Sequence, residues 1–139
     1  MKKKICLALA CMLMLTALAG CGSQGSSSED SASSTIKIGY FGPLTGGTAQ
    51  AGQAALNGVQ IAVNELNEAG GVLGKQLEIV SYDDKSSPEE AVKAATKLVQ
   101  VDKVNAIFGS LHSANVQAAA PVIEEAKTIC VSGGTSPTW

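Results

Sequence analysis

Residues 36–52 read IKIGYFGPLTGGTAQAG. Residues 36–41 form a β-branched and aromatic run, interrupted by Gly39, with the pattern of a short buried strand. A loop of glycines, proline and threonine follows. Beyond it, Ala55, Val59, Ala62, Val63 and Leu66 recur at helical spacing. Strand, glycine loop and helix in that order predict an open α/β sheet. In such a sheet ligands sit beyond the carboxyl ends of strands and against helix N-termini.

The same alternation continues along the chain. The first helix, over roughly residues 50–69, stops at Gly70-Gly71, where glycine supplies a left-handed cap. Residues 77–82 read as a second strand ending in Asp83-Asp84. Ser87-Pro88-Glu89-Glu90 is a helix start, with serine at the N-cap, proline at N1 and glutamate at N3. That helix runs to about residue 100 and is expected to bury Ala91, Ala95, Leu98 and Val99. Residues 106–108 are a short third strand leading into Gly109-Ser110-Leu111-His112-Ser113. A third helix over about residues 114–127 contains Pro121, which is expected to kink it. Residues 128–131 make a fourth strand, followed by Ser132-Gly133-Gly134-Thr135-Ser136-Pro137. The order βαβαβαβ implies a parallel, right-handed, doubly wound α/β sheet.

The front of the chain has a different character. Lys2, Lys3 and Lys4 precede an apolar run over residues 5–19, broken only by Thr16. This is the basic and apolar pattern of an export signal over residues 1–20, too short to span a bilayer comfortably. Leu18-Ala19-Gly20-Cys21 resembles the bacterial lipobox, which implies cleavage before Cys21 and acylation of its thiol. More than one acyl chain gives stable anchoring, so the expected location is extracytoplasmic, on the bacterial cell membrane. Residues 21–35 are rich in serine and glycine and read as a flexible tether. Cys6 and Cys11 leave with the signal and Cys21 is lipidated, so Cys130 remains as a free thiol with no disulfide partner.

The 139-residue chain is 45 % apolar with a formal charge of -2 and no arginine. Without its leading lysines it carries seven lysines against twelve acidic residues. That balance leaves no electrostatic footprint for nucleic acid.

Three loops on one sheet edge pair glycine with hydroxyls: Thr45-Gly46-Gly47-Thr48, Gly109-Ser110 with Ser113, and Ser132-Gly133-Gly134-Thr135. Glycine lets the main chain approach a ligand, and hydroxyls with helix N–H groups suit a carboxylate or another small anion. Ser113, at the expected N-cap of the third helix, either caps that helix or shares a ligand oxygen. Thr135 reads as a turn residue or as a ligand hydroxyl.

A nucleotide site fails on detail. Gly42-Pro43-Leu44-Thr45-Gly46-Gly47 lacks the lysine and spacing of a phosphate loop, and no G-x-G-x-x-G run follows the first strand. Catalysis has little support either. Ser113 beside His112 lacks a third group, and His112 reads as a solvated loop residue. Asp83-Asp84 read as turn and capping groups rather than metal ligands. No enzymatic activity, cofactor or metal is expected.

The blocks IKIGYFGPLTG, LNGVQIAVNELNEAGGVLGKQLEIVSYDD and SSPEEAVKAATKLV, with the FGSLHSA and SGGTSPT loops, are similar to the branched-chain amino acid type of periplasmic binding protein. The resemblance covers residues 36–138. It implies the first lobe of a type I periplasmic binding protein, a receptor of two Rossmann-like lobes that close on an amino acid or related small molecule. It also implies partners: the membrane permease and ATPase of an ATP-binding-cassette importer. Ser113 and Thr135 match family positions whose hydroxyls hold the ligand carboxylate. Gly133 or Gly134 matches a position whose main chain meets the ligand. Ala51 stands where familiar amino acid receptors carry a ligand-contacting tyrosine, which opens the specificity to other amino acids, amides or small carboxylates. Cysteines that form a disulfide in some members fall near Ser86 and His112. Family members are more than twice this length, so residues 36–139 are expected to be an incomplete lobe that binds weakly alone. A ligand-sensing or partner-docking lipoprotein and an inactive receptor fragment are the competing readings.

Overall fold

The structure, a computed structural model, describes residues 35–134. The signal segment, the lipidation residue Cys21, the tether up to Ser34 and residues 135–139, Thr135 among them, lie outside the described residues. Four strands, β1 (Thr35–Gly42), β2 (Gln76–Asp83), β3 (Ala106–Gly109) and β4 (Ile129–Ser132), form one sheet in the order β2-β1-β3-β4. Every strand pairing is parallel. Helix α1 (Ala49–Glu68) joins β1 to β2, α2 (Pro88–Thr96) lies between β2 and β3, and α3 (Ser113–Glu125) between β3 and β4. The chain moves outward from β1 to β2 and then crosses back past β1 to β3. The strand order therefore reverses between β1 and β3, where doubly wound sheets place their ligands.

Local chemistry explains the boundaries. α1 ends in a Schellman motif: the N–H groups of Gly71 and Gly70 donate to the carbonyls of Leu66 and Asn67, at 2.8 and 3.1 Å. Both glycines have positive φ, 102° at Gly70 and 81° at Gly71. The Asn67 side chain then pairs with the Leu77 main chain in both directions, at 2.7 and 2.9 Å, tying the end of α1 to the start of β2. α3 runs through Pro121 to Glu125.

Lys97–Val101 departs from the expected α-helix and forms a wider π turn, closed by the Asp102 N–H on the Lys97 carbonyl. Leu98 within it is fully buried and packs on Gly39, where a Cβ would stand 3.0 Å from Leu98 Cδ2. The glycine that interrupts β1 is the seat for this leucine.

The two faces of the sheet are unequal. α2 and α3 pack over one face with Phe41, Leu98, Val104, Ile107, Val116 and Ile123, interleaved with buried alanines. On the other face α1 lies along β2 and buries only Gly52 and Val63 from its own length. Ala62 and Leu66, part of the stripe that signalled the helix, are exposed. Phe108 and Val131 on this face are 40 % and 58 % exposed. No helix among the described residues is long and apolar enough to cross a membrane.

Candidate ligand edge

Because every strand is parallel, the loops after β1, β2, β3 and β4 share one edge. The loop after β1 is seated by Gly52 and Asp83. A Cβ at Gly52 would lie 1.8 Å from the Pro43 carbonyl oxygen, so only glycine lets the first turn of α1 rest on this loop. The Tyr40 hydroxyl, buried beneath, donates to the Gly52 carbonyl at 2.8 Å. Burial, and secondarily the Asp84 carboxylate, push the Tyr40 hydroxyl above its ordinary pKa, so it stays a donor.

Asp83 accepts from Leu44 N–H at 2.8 Å, Thr45 N–H at 3.3 Å, Lys85 N–H at 2.9 Å and the Thr45 hydroxyl. Burial opposes its ionisation. The Thr45 hydroxyl and the three N–H donors outweigh that, and the carboxyl sits below its usual range. Asp84, fully buried, accepts from Ser86 N–H at 2.9 Å and from Asn115 Nδ2 at 2.8 Å. The expected turn role of Asp83-Asp84 is thus observed, while the cap of the next helix is Ser87 and neither aspartate. The two aspartates also reach further than a local turn, to the loop after β1 and to the first turns of α3. Among the described residues no group of three or more His, Cys, Asp or Glu side chains could hold a metal ion.

Ser113 corrects the sequence expectation by one position. It is the first residue of α3, half-buried, and His112 occupies the N-cap without a side-chain cap bond. The His112 ring is engaged across the edge, with Nε2 3.2 Å from Thr48 Oγ1, so it is not simply a solvated loop residue. Thr48 Oγ1 in turn lies 2.7 Å from Ser86 Oγ. Ser110 is fully buried and accepts from His112 N–H at 3.3 Å, so it supports the loop from below.

Ala51 stands exposed in the first turn of α1, its N–H on the Thr48 carbonyl at 3.1 Å. Gly133 lies against Leu111, where a Cβ would meet Leu111 Cδ2 at 2.7 Å, and Gly134 follows it half-buried. The structure therefore brings Gly133 to the loop carrying Ser113, and joins the helix starts bearing Ser113 and Ala51 through His112 and Thr48. Below this edge, on the α1 face, an apolar groove of about 280 Å³ runs between Tyr40, Val59, Phe108, Leu111 and Val131. Gly52 and Asn115 have no role in the sequence reading, and Thr48 figures there only among the loop hydroxyls, not as a link between loops. Gly52 left a sequence signal, a glycine inside a predicted helix.

A family model described as periplasmic binding protein matches residues 35–139. Among curated relatives, the leucine-, isoleucine-, valine-, threonine- and alanine-binding protein of Pseudomonas aeruginosa is 39 % identical over 114 residues, covering 81 % of this chain and 30 % of that one. The leucine-specific-binding protein of Salmonella typhimurium is 34 % identical over 116 residues, covering 83 % and 30 %. Among solved structures, the branched-chain amino acid transporter substrate binding protein of Streptococcus pneumoniae, in complex with isoleucine, superposes with a TM-score of 0.72. It is 39 % identical, and the match covers 75 % of this chain and 30 % of that one. A solute binding protein of an ABC transporter from Rhodopseudomonas palustris, bound to 3,4-dihydroxy benzoic acid, has a TM-score of 0.65 at 31 % identity, covering 71 % and 27 %. The chain spans about 30 % of the length of the curated relatives it matches.

Proposed function

The chain belongs to the periplasmic binding protein family, and from that premise we propose that it is the first-lobe portion of an extracytoplasmic solute receptor serving an amino acid importer of the ABC type. These relatives are solute-binding proteins, not enzymes. One observation carries the reading to the level of a site: the starts of α1 and α3 meet at the strand-order reversal, cross-linked through Thr48 and His112. Helix N-termini at such a point favour a small anion, and a carboxylate is the group shared by amino acids and aromatic acids. Ser113, Thr135 and the Gly133–Gly134 main chain are the proposed carboxylate holders, with Ala51 leaving room where a larger side chain would reach the ligand.

The remaining parts follow the same reading. Residues 1–20 serve as an export signal, Cys21 as the lipidated N-terminus, residues 21–35 as tether and residues 36–139 as the lobe portion. A Cys21→Ala variant is expected to lose incorporation of radiolabelled palmitate, and retained label overturns the anchor.

Titration calorimetry of the chain against leucine, isoleucine, valine, threonine, alanine and benzoate tests the receptor function. Weak but saturable binding to at least one of them is expected, and a submillimolar dissociation constant would favour the reading most strongly. Flat traces from a chain with a folded circular-dichroism signal contradict it. Such traces would favour an inactive receptor fragment or a partner-docking lipoprotein, the latter being the reading that the exposed Phe108 and Val131 support.

A further inference from the structure

Lys85 and Ser86, the two residues after Asp83-Asp84, both adopt left-handed conformations, with φ of 50° and 61°. Non-glycine residues pay about 1 kcal/mol or more for that region, and two in succession need restraint. The restraint is visible. Asp83 takes the Lys85 N–H at 2.9 Å and Asp84 takes the Ser86 N–H at 2.9 Å, two Asx turns in register. The strained turn places the Ser86 hydroxyl 2.7 Å from Thr48 Oγ1, and Thr48 also meets His112 Nε2 at 3.2 Å.

Thr48 and His112 hold the N-cap positions of α1 and α3, yet neither caps its own helix. Their side chains are directed across the edge instead. A hydroxyl is suited to the central place. It donates to an unprotonated Nε2 while accepting from Ser86, or accepts from Nε2–H while donating to Ser86. A methyl group does neither.

We propose that Thr48 is a positioning residue: with Ser86 and His112 it locks the loops after β1, β2 and β3 into one unit and thereby sets the spacing of the α1 and α3 helix starts. The β2 loop is then a brace for the ligand edge, not a contact surface. The consequence for binding rests on the receptor reading above, but the lock itself does not.

Amide hydrogen exchange of the full chain separates the two. In Thr48→Val, exchange should quicken about fivefold in all three loops, at residues 45–48, 85–87 and 111–113, as expected for losing a pair of exposed hydrogen bonds. Thr48→Ser should restore wild-type rates. Quickening confined to residues 45–48, or a Thr48→Ser variant as fast as Thr48→Val, overturns the lock whether or not any solute binds. Where the wild-type chain binds L-isoleucine, Thr48→Val should weaken it about three- to tenfold with Thr48→Ser near wild type, and equal affinity of all three overturns the positioning role. Absence of L-isoleucine binding in the wild-type chain bears on the receptor reading alone, and the exchange rates then decide the inference.

Discussion

Three helices begin at the same edge of this sheet, and they begin in two different ways. α2 is closed by its own residues. Ser87 accepts from Glu90 N–H at 3.4 Å, Pro88 fills the first helical position, and Glu89 and Glu90 bring negative charge to the positive end of the helix dipole. α1 and α3 have no acidic residue in the first turn and no side-chain cap from Thr48 or His112. On the receptor reading, the acidic start of α2 disfavours an anionic ligand and the starts of α1 and α3 are the proposed places for one. The α2 start is closed by its own cap, whereas the side chains of Thr48 and His112 reach across the edge instead of capping α1 and α3.

The contrast can be broken at its foundation by Gly52→Ala. A Cβ there collides with the Pro43 carbonyl, so the start of α1 must lift off the loop, and stability should fall by about 3 kcal/mol in urea unfolding. An unchanged midpoint would show that the loop yields freely and that α1 is not seated as described.

A paired substitution sharpens the contrast. Ser113→Ala should weaken a carboxylate ligand by about 1–3 kcal/mol in calorimetry, and Thr135→Val should act in the same direction. Ser87→Ala should cost about 1 kcal/mol of stability and leave affinity unchanged. The reverse pattern, with Ser87 controlling affinity, would exchange the roles assigned to the two kinds of helix start.

The smallest effect concerns pH. The Asp83 carboxyl is held below its ordinary value, with burial opposing and the Thr45 hydroxyl and loop N–H groups prevailing. A depressed folded-state pKa contributes stability that is complete above the unfolded value and is lost as pH falls through the folded one. The loop after β1 should therefore stay closed at neutral pH and loosen only below about pH 4. The amide resonances of Leu44 and Thr45 should titrate together in that acid range. Movement between pH 5 and 7 would contradict the assignment.

Much of the fold was legible because the signals were local. The β-branched run of β1, the Ser87-Pro88-Glu89-Glu90 start of α2 and the Gly70-Gly71 stop of α1 each act within a few residues, and apart from the end of α2, which gives way to the π turn at Lys97, the elements formed within about two residues of their expected ends. Other features depended on distant partners. The π turn at Lys97–Val101 accompanies the seating of Leu98 on Gly39, some sixty residues earlier in the chain. Ser113 moved from cap to first helical residue because His112 carries the N-cap position while its ring reaches Thr48. The stripe through Ala55, Val59, Ala62 and Leu66 signalled a helix correctly, but periodicity does not say what covers a face, and here Ala62 and Leu66 are exposed. Ser113 and the Gly133-Gly134 loop were legible as a hydroxyl at a helix start and a glycine–hydroxyl turn, to which the resemblance added ligand roles, while the brace of Asp83, Asp84, Ser86 and Thr48 emerged only from the folded loops.

The central claim is that an anionic solute belongs to the starts of α1 and α3 and not to that of α2. Backbone amide shifts of the chain, followed during addition of L-isoleucine to millimolar concentration, test it most directly. Perturbations should cluster at residues 45–51, 111–115 and 133–134, with residues 87–90 still. Perturbations centred on residues 87–90, or none along the edge at saturating solute, would contradict it.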